Sequence, residues 1–189
     1  MSSTNRGSKR RVDDFYETPG WATRAILPHL EQLGALDGMI LEPSAGRGAI
    51  VKELIEAGVS HDKIVSYELD LERARESQSR CANFLEKQIV WKYGLVITNP
   101  PYTHAIEFAQ KGYDLIADGG VLALLLRINW LASQRRAEWL RKHTPSLYVL
   151  PKRPSFTGKG TDSSDYAWMV WTKREDGTMR APRVHILEV

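Results

Sequence analysis

The chain has 189 residues, a formal net charge of +3 and a single cysteine, Cys81. A domain of this length buries a sizeable core, one cysteine excludes an internal disulfide framework, and no apolar run approaches the roughly 20 residues of a membrane span. The sequence pI of about 9.0 permits a nucleic-acid partner without requiring one.

Residues 1–14, "MSSTNRGSKRRVDD", are polar and basic, with Lys9, Arg10 and Arg11 together. They lack the apolar middle of a signal peptide, which predicts a cytoplasmic protein. They read as a flexible basic tail, either solvated or able to touch phosphate. Residues 15–189 read as one domain. From residue 21 helices and strands alternate. "WATRAILPHLEQLG" has helical spacing that Pro28 should kink or split. "GMILE" is a short strand, "AIVKELIEAG" an amphipathic helix closed by Gly58, and "KIVSYEL" a second strand. "LERARESQSRCANF" reads as a polar helix, "GLVITN" as a strand and "THAIEFAQKGYDLIADGG" as a helix with a terminal turn. The fully apolar strand "VLALLL" follows, then the helix "SQRRAEWLRKH" and the strands "SLYVL" and "DYAWMVWTK". Such alternation predicts an α/β protein with a mostly parallel sheet and helices on both faces. Residues 151–164 read as a long loop, of a length that invites function.

"LEPSAGRGAIVKEL" is a strand, a small-residue turn and a helix, a unit that brings backbone N–H groups close to a ligand. The third glycine of the dinucleotide fingerprint is replaced near Ala49. Glu42 at the strand end disfavours a pyrophosphate, but a nucleoside with an ammonium or sulfonium end tolerates it. Glu68 in "YELD" ends the second strand, placed to hold ribose hydroxyls or, alternatively, to cap the next helix. Leu69 would then cover an adenine face. These features favour S-adenosylmethionine as the cofactor.

"TNPPY", residues 98–102, follows the third strand on the ligand side of the sheet. An exocyclic adenine amine is a poor nucleophile because its lone pair is delocalised. Two acceptors aimed at its hydrogens would localise that pair. The Asn99 side chain and the Pro100 carbonyl supply them, while Pro100 and Pro101 add no donor and stiffen the turn. Tyr102 offers a face for the base. Such catalysis works by orientation and by complementarity to the reacting geometry.

On these motifs the chain resembles the gamma-class adenine-specific DNA methyltransferases, a compact type similar to those of phages and prophages. "FYETP", "LEPSAGRG", "YELD" and "NPPY" stand in that family's order, and the resemblance covers residues 15 to about 172. It implies a class I S-adenosylmethionine-dependent, Rossmann-like fold with a seven-stranded sheet and an antiparallel last strand. It implies methyl transfer to adenine N6 in DNA, with S-adenosylhomocysteine as product and no metal. Thr18 and Pro19 would touch the methionine end of the cofactor. Glu42, Pro43, Ser44, Ala45, Gly46 and Gly48 would cradle it, Glu68 would bind ribose, and Asn99 would border it. Asn83 stands where the family usually has an aspartate facing adenine, and Phe84 would pack on that ring. Phe156 matches the aromatic that packs on the flipped target base, or else anchors its loop. Trp130 would wall the same pocket or serve the core.

Lys152, Arg153 and Lys159 flank the late loop and read as phosphate contacts, which position a duplex without specifying its sequence. The target adenine must leave the stack to be reached. About a dozen and a half residues follow Trp171, so sequence reading is expected to rest on loops, with short or relaxed specificity or help from a partner. An RNA adenine methyltransferase, a protein glutamine methyltransferase and a catalytically silent cofactor-binding subunit share parts of this pattern. The five histidines show no ligand spacing.

Overall fold

The computed structural model describes residues 17–156 and 162–189. Lys9, Arg10, Arg11 and Lys159 lie outside the described residues. In chain order the elements are α1 (Gly20–Gln32), β1 (Ile40–Glu42), α2 (Ala49–Glu56), β2 (Ile64–Glu68), α3 (Leu71–Glu76), β3 (Arg80–Cys81) and β4 (Tyr93–Thr98). Then come α4 (Ala105–Leu115), β5 (Ile116–Arg127), α5 (Gln134–Lys142), β6 (Ser146–Val149), β7 (Tyr166–Thr172) and β8 (Val184–Ile186). One eight-stranded sheet runs in the order β3-β2-β1-β4-β5-β7-β6-β8. Only β7 is antiparallel to its neighbours.

The six strands expected from patterning are all present. Two short edge strands, β3 and β8, complete the sheet, which therefore has one strand more than the resemblance implies. The helix expected to continue through "ESQSRCANF" stops at Glu76. Gln78 adopts a left-handed φ of 57° and the Ser77 hydroxyl bonds back to the Arg73 carbonyl at 2.8 Å, so the chain turns and pairs with β2. Pro28 does not split α1. It sits on the exposed face, while Ile26, Leu27 and Leu30 hold the other face to the core.

Strand β5 shows how the two faces are built. Val121, Ala123 and Leu125 point into the core under α1 and α2, whereas Leu122, Leu124 and Leu126 point into the core under α4. Period-two geometry makes this division, and burial on both faces explains the unbroken apolar run. Each buried leucine contributes about 1.5–3 kcal/mol by removal from water. Two tryptophans of β7 tie the layers together. Trp168 Nε1 donates to the Ala22 carbonyl and Trp171 Nε1 to the His143 carbonyl, each at 2.7 Å.

From β1 the chain builds outward through β2 to β3, then returns to place β4 on the other side of β1. The strand order reverses between β1 and β4, so the loops leaving their C-terminal ends diverge and open a crevice. Residues 43–47 and, from the other turn, Asn99, Pro101, Thr103 and His104 border it.

Candidate functional site

The turn after β1 is fixed by its neighbours. Ala45 N–H donates to the Tyr67 carbonyl and Gly46 N–H to Glu68 Oε2, both at 2.8 Å. Gly46 and Gly48 have φ values of 55° and 86°, which L side chains rarely adopt. A cavity of about 890 Å³ opens above this turn. That lies within the roughly 300–1,000 Å³ range of small-molecule sites.

Thr18, Pro43, Ser44, Ala45, Gly46, Glu68, Leu69, Asn83, Phe84, Asn99 and Pro101 all line this cavity. Residues far apart in the chain, from Thr18 to Pro101, thus meet around one space. Five expected residues lie elsewhere. Glu42 is fully buried beneath the floor, where Oε1 accepts from Ser44 N–H at 3.0 Å. Burial pushes its carboxyl up from 4.5 to about 8, against the smaller opposing pull of the Thr98 hydroxyl and the Ser44 N–H. Gly48 is the residue before α2, and a Cβ there would stand 3.2 Å from the Ser77 Cβ, so its smallness serves helix packing. Pro19 precedes α1, Pro100 is buried, and Tyr102 is turned toward β5 and β7.

Glu68 is buried on the cavity wall. Besides Gly46, its carboxylate accepts from Asp70 N–H at 2.9 Å and from Arg73 Nε at 3.2 Å. The helix cap itself is Asp70, whose side chain accepts from Arg73 N–H at 2.9 Å. Asn83 Oδ1 accepts from Leu85 N–H at 3.1 Å, which fixes the side chain at the cavity edge. Phe84 packs on Phe108, a wall residue that the sequence pattern did not single out, with ring centres 5.0 Å apart.

At the end of β4, Asn99 Nδ2 donates to Thr18 Oγ1 at 3.1 Å. This bond holds the Asn99 amide against the segment before α1. Thr18 is buried. Beneath them the Ser44 and Thr98 hydroxyls meet at 2.6 Å. One hydrogen-bonded group therefore links the segment before α1, the glycine turn and the Asn-Pro-Pro-Tyr turn.

Beyond Asn99 lies a second cluster. The Arg127 guanidinium sits over the Tyr102 ring, 5.3 Å from its centre. Arg127 Nε donates to Tyr166 Oη at 2.9 Å, and an Arg127 terminal nitrogen pairs with Asp162 Oδ2 at 3.2 Å. Tyr166 Oη also donates to Asp162 Oδ2 at 3.0 Å. Burial works to raise the Asp162 pKa, but bonds from Ser164 N–H, Tyr166 and Arg127 outweigh it and hold the carboxyl below its usual range. Burial pushes the Tyr102 phenol well above its usual value, so the ring stays neutral. Phe156 is buried edge-on to Tyr166 at 5.1 Å, on the same side of Asn99 as Tyr102. Trp130 lies in the core against Trp171, with the Arg136 guanidinium 4.9 Å from its ring centre. Of the basic loop residues, Arg153 is paired with Asp165 at 2.8 Å and the Lys152 ammonium lies over the Trp21 ring at 4.6 Å. Arg127, Asp162 and Tyr166 were not expected from sequence. Their signal was a charged residue closing an otherwise apolar strand.

No family model matches the chain, and no curated protein matches it. Solved structures do. A protein from Pyrococcus horikoshii proposed to be an RNA methyltransferase matches with a TM-score of 0.69 at 18% identity, over 91% of this chain and 92% of that one. A protein from Listeria monocytogenes proposed to be a class I S-adenosylmethionine-dependent methyltransferase matches at 0.61 and 14% identity, over 95% and 68%. The M protein of the type I restriction enzyme EcoKI matches at 0.63 and 16% identity, over 86% of this chain and 44% of that one. At these identities the likeness concerns the fold, which is that of the class I S-adenosylmethionine-dependent methyltransferases.

Proposed function

We propose that the chain transfers a methyl group from S-adenosylmethionine to the exocyclic N6 amine of adenine in DNA. The observation that carries this reading is Asn99. Its amide is oriented by Thr18 on the wall of the cavity that Gly46 and Glu68 also line.

The cavity suits the cofactor. The glycine turn brings its backbone to the cavity at Gly46, the Glu68 carboxylate stands at the wall for hydroxyls, and Phe84 and Leu69 offer apolar surface for a purine. Thr18 and Ser44 would border the methionine end. When bound, the cofactor supplies an electrophilic methyl on a sulfonium, and its C–S bond breaks as the N6–C bond forms. The chain's own residues orient the acceptor. Asn99 Oδ1 and the Pro100 carbonyl would take the two amine hydrogens and draw the nitrogen toward tetrahedral geometry, while Pro101 adds no competing donor. The proton then leaves to solvent. Tyr102 and Phe156, on the far side of Asn99, would hold the flipped base. Duplex DNA with an extruded adenine is the proposed substrate, with a specificity partner as an additional component. An RNA adenine would meet the same groups, and the likeness to the Pyrococcus protein keeps that acceptor as the second reading.

The test is transfer of label from the cofactor to duplex DNA, RNA or protein. Label is expected on adenine N6 in DNA. Asn99→Ala should lower turnover about a hundredfold, equivalent to about 3 kcal/mol in the barrier, with little change in cofactor affinity. Label on cytosine or on a protein amide, or an Asn99→Ala variant of near wild-type rate, would overturn the proposal.

A further inference from the structure

We propose that a second groove, at the opposite end of the sheet from the cofactor cavity, binds the phosphate of a nucleotide or nucleic-acid strand. It is independent of the methyl-transfer reading.

The groove has a volume of about 610 Å³ and lies where β6 begins, β7 ends and α1 finishes. Its floor is Tyr148, a buried residue of β6. The Tyr148 ring stacks on His185 at 4.4 Å with 10° between planes, and His29 adjoins it at 5.0 Å. Its sides carry Arg174, Arg180 and Arg183, and no carboxylate of the described residues lines it.

Two features separate this cluster from a solvated basic face. The first is the lack of an ion pair to a carboxylate among the described residues. Among the described residues, carboxylates pair with Arg24, Arg47, Arg73, Arg127 and Arg153, but with none of these three. Asp176, in the turn beside Arg174, acts on that arginine through its charge but forms no ion pair with it, and its Oδ1 is taken by Thr178 N–H at 2.9 Å and Thr178 Oγ1 at 2.6 Å. Three like charges around one cavity repel each other, and an anion between them relieves that repulsion.

The second feature is that each arginine is fixed at its backbone. Arg174 N–H donates to the Thr178 carbonyl at 2.6 Å, and Gly177, at φ 79°, closes that turn by donating to the Arg174 carbonyl at 2.9 Å. Arg180 N–H donates to the Thr172 carbonyl at 3.0 Å. Arg183 N–H donates to Ser146 Oγ at 3.1 Å, and the Arg183 carbonyl accepts from Leu147 at 2.7 Å. These bonds fix three backbone positions around one groove that all three side chains line. Arginine forks match phosphate oxygens in pairs, which lysines do not. The aromatic floor suits a nucleoside attached to that phosphate. Burial pushes the Tyr148 hydroxyl pKa up, and the charges of Arg183 and Arg180 oppose that push.

The experiment compares the full chain with the triple variant Arg174→Ala/Arg180→Ala/Arg183→Ala, using inorganic phosphate, adenosine monophosphate and a short single-stranded deoxyoligonucleotide as probes. If a strand is the ligand, the variant should lose about two units of slope in log K against log[salt], about 0.7 per lost contact, and about tenfold or more in affinity. The Arg→Lys triple should keep most of the slope while losing affinity for adenosine monophosphate. Loss of phosphate and nucleotide binding with unchanged oligonucleotide binding would identify a free nucleotide as the ligand. S-Adenosylmethionine affinity and the thermal midpoint, read in parallel, report whether the variant is folded. Single Arg174→Glu and Arg183→Glu variants give the same reading if the triple is not. Equal binding of all three probes by wild type and the folded variants would overturn the proposal.

Discussion

Replacing Glu42 by glutamine should make the protein more stable at neutral pH and leave it little changed in acid. Glu42 is fully excluded from solvent, and its Oε2 has no hydrogen-bond partner among the described residues. Burial raises its pKa from 4.5 to about 8, and the nearby Glu68 carboxylate adds to the rise. The folded chain therefore keeps a proton that the unfolded chain releases. Glu42 costs nothing below about pH 4.5, where both states are protonated. Its cost grows as pH rises toward 8 and is constant above. At about 1.4 kcal/mol per pH unit across that interval, the full cost is about 5 kcal/mol, an upper figure because burial of this kind relaxes. The glutamine side chain of Glu42→Gln would keep an oxygen for the Ser44 N–H and would not titrate. Urea unfolding of both proteins at about pH 5, 6, 7 and 8 isolates the effect, because every other titrating group is common to the pair. The difference should widen in favour of Glu42→Gln with each step. Parallel curves would refute the reasoning, since they would mean that Glu42 ionises equally in both states.

Two further outcomes test the site. Glu68→Ala should weaken S-adenosylmethionine binding by about 1–3 kcal/mol in calorimetry, the usual range for hydrogen bonds to a charged acceptor; an unchanged affinity would leave Glu68 with only its contacts to Gly46, Asp70 and Arg73. Arg127→Met should raise KM for the nucleic-acid acceptor or lower kcat by about 1–3 kcal/mol in barrier, with cofactor affinity unchanged, because it frees the Tyr102 ring and leaves Asp162 held by Tyr166 and Ser164 alone; a variant with wild-type kinetics would make the cluster a matter of packing only.

The sheet was legible because its strands are buried on both faces and so stand out as apolar runs between amphipathic helices. "VLALLL" and "AWMVW" could hardly be anything else. The edge strands were not, since β3 is two exposed residues, Arg80 and Cys81, and β8 is three, too short for alternation to stand out. Glycine turn, acid and Asn-Pro-Pro-Tyr were legible as motifs because each needs particular residue types at adjacent positions. Whether a motif residue faces the ligand or its support was not. Glu42 alternates with Leu41 along β1 and ends beneath the floor. Tyr102 follows two prolines that rotate it away from the cavity. The Arg127–Asp162–Tyr166 cluster joins residues up to 39 positions apart, and no local pattern announces such a meeting.

The two polar groups around Asn99 divide the work the proposed reaction needs. On one side Thr18, Ser44 and Thr98 tie the amide to the glycine turn, so anything bound above Gly46 and Glu68 is in register with Asn99. On the other, Arg127 bridges Asp162 and Tyr166 and covers the Tyr102 ring, so the acceptor side is set by β5, β7 and the residues after Phe156. Asn99 follows β4, the strand between β1 and β5, and is bonded to Thr18 on the cavity side. Effective methyl transfer requires two ligands held about 3–3.5 Å apart at their reacting atoms. In the proposed reaction a turn stiffened by two prolines would serve that requirement with little backbone freedom to lose. Loosening either cluster should therefore lower the rate even where the motif itself is intact.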